Sequence, residues 1–164
     1  MPYNLKGIRI LIIDGNVPIR TLLRSLLMDL GFRTVDVEDG SEKGWLSFCN
    51  NKPDIILVDW RMDSQDSIEF VERVRKDPSS INPYVPIMIM TGFTQKARVL
   101  MARDAGVTEF LIKPFSVKIL TDRLTYIIEK PRDFVMAPKF IGPDRRRRNN
   151  EAVDTDRRKR TTDV

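Results

Sequence analysis

Histidine is absent from this 164-residue chain, and cysteine occurs once, at Cys49. Without them a Cys/His zinc site, a Ser-His-Asp triad and an internal disulfide are excluded. Long apolar runs are missing too: no stretch approaches the roughly 18 uninterrupted apolar residues of a membrane-crossing helix. The opening Met1-Pro2-Tyr3-Asn4-Leu5-Lys6 lacks the apolar core of a secretion signal. The expectation is therefore a soluble, cytoplasmic protein with no membrane span.

Net positive charge is missing where a nucleic-acid surface would need it. The net charge is +5, yet residues 1–129 carry 17 basic and 17 acidic side chains, while residues 130–164 carry 11 and 6. All of the excess lies in the tail, so a core face built for phosphate backbones is not expected. The length allows one domain, placed at residues 1–130, and an appendage at residues 131–164. A core of that size buries roughly two-thirds of its unfolded surface and needs no covalent staple.

What is present is organised around Pro53-Asp54-Ile55-Ile56-Leu57-Val58-Asp59-Trp60-Arg61-Met62. A β-branched apolar run introduced by proline reads as a central strand of a parallel sheet covered on both faces. Asp59 falls at its carboxyl end, where ligands bind in open α/β sheets. Gly7-Ile8-Arg9-Ile10-Leu11-Ile12-Ile13 similarly ends on Asp14, and Val85-Pro86-Ile87-Met88-Ile89-Met90 on Thr91. Glu109-Phe110-Leu111-Ile112 ends on Lys113-Pro114-Phe115. Two carboxylates, a hydroxyl and an ammonium on one rim are the groups a phosphoryl-accepting site requires. Plainer uses exist for each: Asp14 and Asp59 as helix caps, Thr91 as a turn residue, Lys113 as a surface lysine.

With these residues the sequence resembles the receiver domain of bacterial two-component response regulators, most closely the single-domain, chemotaxis-type regulators, over Lys6 to Lys130. The resemblance implies that Asp59 is the phosphoacceptor and that Thr91 and Lys113 bind the phosphoryl group. It implies that Phe110 is a rotating switch aromatic and that Lys113-Pro114 is cis. It also implies magnesium held by Asp14, Asp59 and the Arg61 backbone carbonyl, while Arg61 and Phe93 flank the path of an attacking water. Three residues depart from the family pattern. Gly15 stands where the pocket has its second acid, Asp63 where a proline follows Met62, and Ser67 where the next loop has glycine. One missing carboxylate predicts a weak magnesium site. Nearby Asn16 and Asp63 are not established substitutes.

Periodicity fills in the rest. Asn16 caps a helix with Ile19, Leu22, Leu23, Leu26, Leu27 and Leu30 on its apolar positions, stopped by Gly31. Phe32 to Glu38 alternates as a second strand, and Asp39-Gly40-Ser41 opens a helix through Trp45, Leu46 and Phe48. Further helices span Asp66 to Arg75, about Gln95 to Ala105, and from Ser116 onward, the last with Val117, Leu120, Leu124, Ile127 and Ile128 on one face. Right-handed crossovers give an α/β, doubly wound, five-stranded parallel sheet of flavodoxin-like order 2-1-3-4-5, which sets Asp14 beside Asp59.

Beyond Lys130 the pattern breaks into an irregular C-terminal extension. Pro131, Pro138 and Pro143, with Phe134, Val135, Met136, Phe140 and Ile141 between them, predict an extended arm docked on this subunit or a neighbour. Exchange of the arm would make a homodimer. The runs Asp144-Arg145-Arg146-Arg147-Arg148 and Asp156-Arg157-Arg158-Lys159-Arg160 lack aromatic interleaving, so no specific nucleic-acid binding is expected.

The functional expectation is a phosphorelay receiver. It is not an enzyme beyond self-catalysed phosphoryl transfer and autodephosphorylation. Its partners are a histidine kinase or phosphotransfer protein and a downstream protein target. The alternative is a degenerate receiver acting as a phosphorylation-independent adaptor, because Gly15 removes an acid. A tail-driven binder of nucleic acid or acidic membrane rests on the Arg runs alone. A flavin reading of the fold lacks a phosphate-binding loop after the first strand.

Overall fold

A computed structural model describes residues 3–61, 65–92 and 94–146 of the chain. In order, the elements are β1 (Arg9–Ile13), α1 (Val17–Asp29), β2 (Thr34–Glu38), α2 (Ser41–Asn51), β3 (Ile55–Trp60) and α3 (Asp66–Lys76). There follow β4 (Ile87–Thr91), α4 (Lys96–Ala105), β5 (Glu109–Ile112), α5 (Val117–Glu129), β6 (Phe134–Ala137) and β7 (Phe140–Pro143). The first five strands form one parallel sheet in the order β2-β1-β3-β4-β5. This is the flavodoxin-like order expected from five strand–helix units.

Because successive strand side chains point to opposite faces, the apolar runs feed two cores. Leu11, Ile13, Ile56, Val58 and Ile89 face α2, α3 and α4, where Phe48, Val71 and Ala102 are buried. Ile10, Ile12, Ile55, Leu57 and Met88 face α1 and α5, meeting Leu23, Leu27, Leu120 and Leu124. α1 begins at Asn16, whose side chain accepts from the Ile19 N–H. Trp45 and Phe48 are core residues as expected, with ring centroids 5.5 Å apart.

Several sequence-based expectations are corrected in detail. β3 does not end at Asp59 but continues through Trp60, which is buried. Leu22, Leu46 and Val117 are exposed, because the buried stripe of each helix is narrower than the run of apolar residues. Val37, on the edge strand β2, is also exposed. Arg75, placed by periodicity at the end of an amphipathic helix, is among the largest fully buried side chains.

The segment after Pro131 is not irregular throughout: β6 and β7 pair antiparallel, from Phe134 opposite Pro143 to Ala137 opposite Phe140. The Asp144 N–H closes the hairpin on the Asp133 carbonyl at 2.7 Å. The hairpin packs on its own chain, with β7 against α4 and α3. Gly106, in the left-handed region at φ +104° where α4 ends, makes that approach feasible. A Cβ there would stand 2.6 Å from the Ile141 carbonyl oxygen, and one on Gly142 would stand 2.9 Å from the Gly106 Cα. Phe134 meets Tyr84 edge-on at 5.4 Å and lies 4.9 Å from the Arg75 guanidinium. Arg145 reaches Asp104 at 2.6 Å and covers the Phe140 ring at 4.4 Å. Residues 147–164, with most of the basic tail, lie outside the described residues.

Candidate functional site

The site is assembled by strand order. Placing β1 beside β3 brings Asp14, one residue past β1, to the rim where Asp59 emerges. Thr91 closes β4 opposite Trp60, and Lys113 follows β5. The Lys113 N–H donates to the Thr91 carbonyl at 2.8 Å, continuing the β4–β5 ladder to the lysine. The Lys113-Pro114 peptide is cis, as the resemblance implies.

Asp59 is paired on both oxygens. Lys113 Nζ donates to Oδ1 in a close ion pair, and Arg61 Nε donates to Oδ2 at 3.4 Å. Its carbonyl accepts the Ser67 hydroxyl at 2.6 Å, which ties the first turn of α3 to β3. Asp14 is almost fully buried. Its Oδ1 accepts the Asn16 N–H at 2.8 Å, while Oδ2 has no hydrogen-bond partner and faces Lys113 Nζ at 3.7 Å. Burial pushes the Asp14 carboxyl above its ordinary value. The neighbouring Asp59 charge adds to that shift, and the Asn16 N–H, Lys113 and Arg61 oppose it. Arg20 Nη1 donates to the Asp14 carbonyl at 2.5 Å and fixes the loop from the helix side.

Of the expected site residues, Asp14, Asp59, Arg61 and Lys113 are therefore gathered. Thr91 is buried at the end of the adjacent strand. Phe110 is half-buried and packs against the core shared by α2, α3 and α4. Phe93, like Asp63, lies outside the described residues. Sequence reasoning named Ser67 only as a departure from the family pattern and passed over Arg20; the bonds of both to backbone carbonyls leave no signature in spacing. It assigned Arg61 a backbone role and a place near the water path, and overlooked its side chain as an Asp59 partner.

The donor set is poor for the magnesium that the resemblance implies. Among the described residues no group of three or more Asp, Glu, His or Cys side chains is gathered to hold a metal. Both Asp59 oxygens face cations, leaving Asp14 Oδ2 as the buried acceptor without a hydrogen bond. These residues do not fit a family-type metal centre. They do form a carboxylate with cationic donors on both sides, suited to receive a phosphoryl group.

The family model for the response regulator receiver domain matches residues 10–125. The chain is 26% identical over 125 residues to the chemotaxis protein CheY-3 of Vibrio cholerae, covering 76% of this chain and 95% of that one. It is 28% identical over 123 residues to the chemotaxis protein CheY of Pseudomonas aeruginosa, covering 74% and 97%. A two-component response regulator from Clostridium difficile superposes with a TM-score of 0.67 at 25% identity, over 76% of this chain and 98% of that structure.

Proposed function

The chain belongs to the family of response regulator receiver domains, and we propose that it accepts a phosphoryl group on Asp59 and signals by protein contact. Receiver domains are signalling proteins with self-catalysed phosphoryl transfer, generally using magnesium, and they interact with histidine kinases or phosphotransfer proteins and with downstream targets. The observation that carries the reading here is Asp59 itself, emerging from the central strand between Lys113 and Arg61.

These 164 residues contain no histidine, so a phosphohistidine donor lies outside them. An Asp59 oxygen attacks phosphorus in line, the P–N bond breaks, and its electron pair leaves with the imidazole, which takes up a proton. An aspartyl phosphate remains. Positioning and electrostatics supply most of the catalysis because the phosphoramidate is already activated. Lys113 neutralises a phosphoryl oxygen, Thr91 donates to another, and Phe110 responds by moving inward to reshape the α4–β5–α5 surface. Arg61 borders the path of the water that would hydrolyse the product. The setting is the cytoplasm. Among the described residues no helix is long and apolar enough to cross a membrane.

The test is incubation with acetyl phosphate followed by intact-mass measurement. One phosphoryl adduct, lost in Asp59→Asn, is expected; an adduct that survives in Asp59→Asn overturns the assignment. The charge balance around Asp59 favours one second reading, a phosphorylation-independent adaptor. In the ion pairs around Asp59, two carboxylates, Asp14 and Asp59, stand against two cations, Arg61 and Lys113, so these four charges balance without phosphate. Partner binding that is unchanged in Asp59→Asn selects the adaptor.

A further inference from the structure

Gly15 and Arg61 lie against one another in a way that neither residue alone would suggest. A Cβ built on Gly15 would stand 2.2 Å from Arg61 Nη2, 2.7 Å from Cζ and 3.1 Å from Nη1. The guanidinium therefore occupies the space that any side chain at position 15 would enter. From there its Nε holds Asp59 Oδ2 at 3.4 Å, and its charge favours the ionised form of Asp14. Where the family places an acid, this chain has its smallest residue, with a long cation laid over it.

We propose that the Arg61 guanidinium is the resident cation of the acceptor site, standing in for the divalent metal of other receivers. The inference rests on Asp59 being the acceptor. Incoming magnesium would meet two positive charges and, without an acid at position 15, too few carboxylates to offset them. A guanidinium supplies instead what phosphoryl transfer needs from the metal, positive charge beside the acceptor oxygen. It adds a planar fork of N–H donors that matches phosphate oxygens. Lys113 covers one side of Asp59 and Arg61 the other, so charge developing on the transferring group meets a cation on each flank. The arginine side chain is 57% exposed, so it can swing aside as the phosphoryl group arrives and return to bind its oxygens.

The test uses the full chain as native protein, Arg61→Ala, Arg61→Lys, and Gly15→Asp combined with Arg61→Ala. Mn2+ alone is titrated by electron paramagnetic resonance, with magnesium as competitor. Acetyl phosphate labelling is then timed in EDTA and in excess magnesium; acetate leaves as Asp59 takes the phosphoryl group. The native chain is expected to bind Mn2+ at least about tenfold more weakly than the double variant. It should label at the same rate in EDTA as in magnesium. Arg61→Ala should lose about tenfold or more of the metal-free rate, with Arg61→Lys in between. Sub-millimolar Mn2+ binding by the native chain, labelling abolished by EDTA, or an unchanged metal-free rate in Arg61→Ala each overturns the proposal. Failure to label under every condition overturns the acceptor assignment, and the Mn2+ titrations still decide whether the site admits a metal.

Discussion

Arg75 donates through Nε to the Gly106 carbonyl at 3.0 Å, joining the end of α3 to the turn that ends α4. Its Nη1 also donates to the carbonyls of Pro83 and Val85, each at 2.8 Å, and Nη2 lies 3.4 Å from Thr108 Oγ1. All four partners are neutral, and burial pulls the guanidinium pKa down to about 9, so it stays charged at neutral pH. This side chain serves as a hydrogen-bonding post for two loops, α3–β4 and α4–β5, that present backbone oxygens to the interior.

Replacing that post should be costly. Arg75→Met keeps apolar bulk but leaves the carbonyls of Gly106, Pro83 and Val85 without these donors. Losses of about 1–3 kcal/mol for each unsatisfied group, partly relieved by water, give an expected destabilisation of about 3–5 kcal/mol. Arg75→Lys should recover little, because one ammonium cannot span the same acceptors. Urea unfolding checks this; a methionine variant within 1 kcal/mol of native (roughly the error of such a comparison) would show that water replaces the post.

The hairpin β6–β7 covers the same region, and its removal is predicted to weaken the domain it packs on. Truncation after Pro131 uncovers Gly106 and one face of Arg75 and deletes the Phe134 and Ile141 contacts. A loss of at least about 2 kcal/mol is expected. In the full chain, trypsin should cut after Arg132 slowly, since its side chain is 27% exposed and lies 3.8 Å from Glu109. Rapid cleavage there with an unchanged melting temperature would mean the hairpin contributes nothing.

Most of this fold was legible because its signals are local. Ile55 to Val58 could be read as a strand buried on both faces, and Asn16 and Gly31 marked the two ends of α1 by their chemistry alone. The residues that escaped are those whose role depends on distant partners. Arg75 looks like any charged residue on an amphipathic helix until Gly106, Pro83 and Val85 are folded around it. Phe134 to Pro143 was read as an extended arm because three prolines argue against a helix and do not reveal strand pairing. At the site, Asp14, Asp59 and Lys113 were found because each follows an apolar run in the sequence, whereas the Arg61 side chain was overlooked because its place follows from the empty space above Gly15.

Ser67 offers a narrower test of how the acceptor strand is fixed. Its hydroxyl donates to the Asp59 carbonyl at 2.6 Å, and the residue is buried in the first turn of α3. Ser67→Ala should cost about 1 kcal/mol, the usual worth of one such bond, while Ser67→Thr should retain it. Labelling of Asp59 by acetyl phosphate should slow in the alanine variant as the strand end loses its tether. Equal stability and equal labelling in native and alanine proteins would remove Ser67 from this role.

The pH dependence follows from Asp14. Burial raises its carboxyl pKa in the folded chain, with Asp59 adding to the shift. Between the ordinary carboxylate value and the raised one, the folded state holds a proton that the unfolded state has released. Stability from this group is therefore fully present below the ordinary value and is lost as pH rises through the folded one. Once ionised, the buried Asp14 is a net cost, only partly offset by the Asn16 N–H, Lys113 and Arg61. Asp14→Asn keeps the size and an oxygen for the Asn16 N–H without the charge, so it should stabilise the fold at neutral pH on the order of 1 kcal/mol, or a few degrees in Tm. That advantage should shrink as the pH is lowered toward the ordinary carboxylate range, where the native residue is protonated as well. Thermal melts of both proteins across this range provide the check, since other titrating groups cancel in the difference. An asparagine variant less stable than native at neutral pH would mean that Lys113 and Arg61 more than repay the burial of the charge.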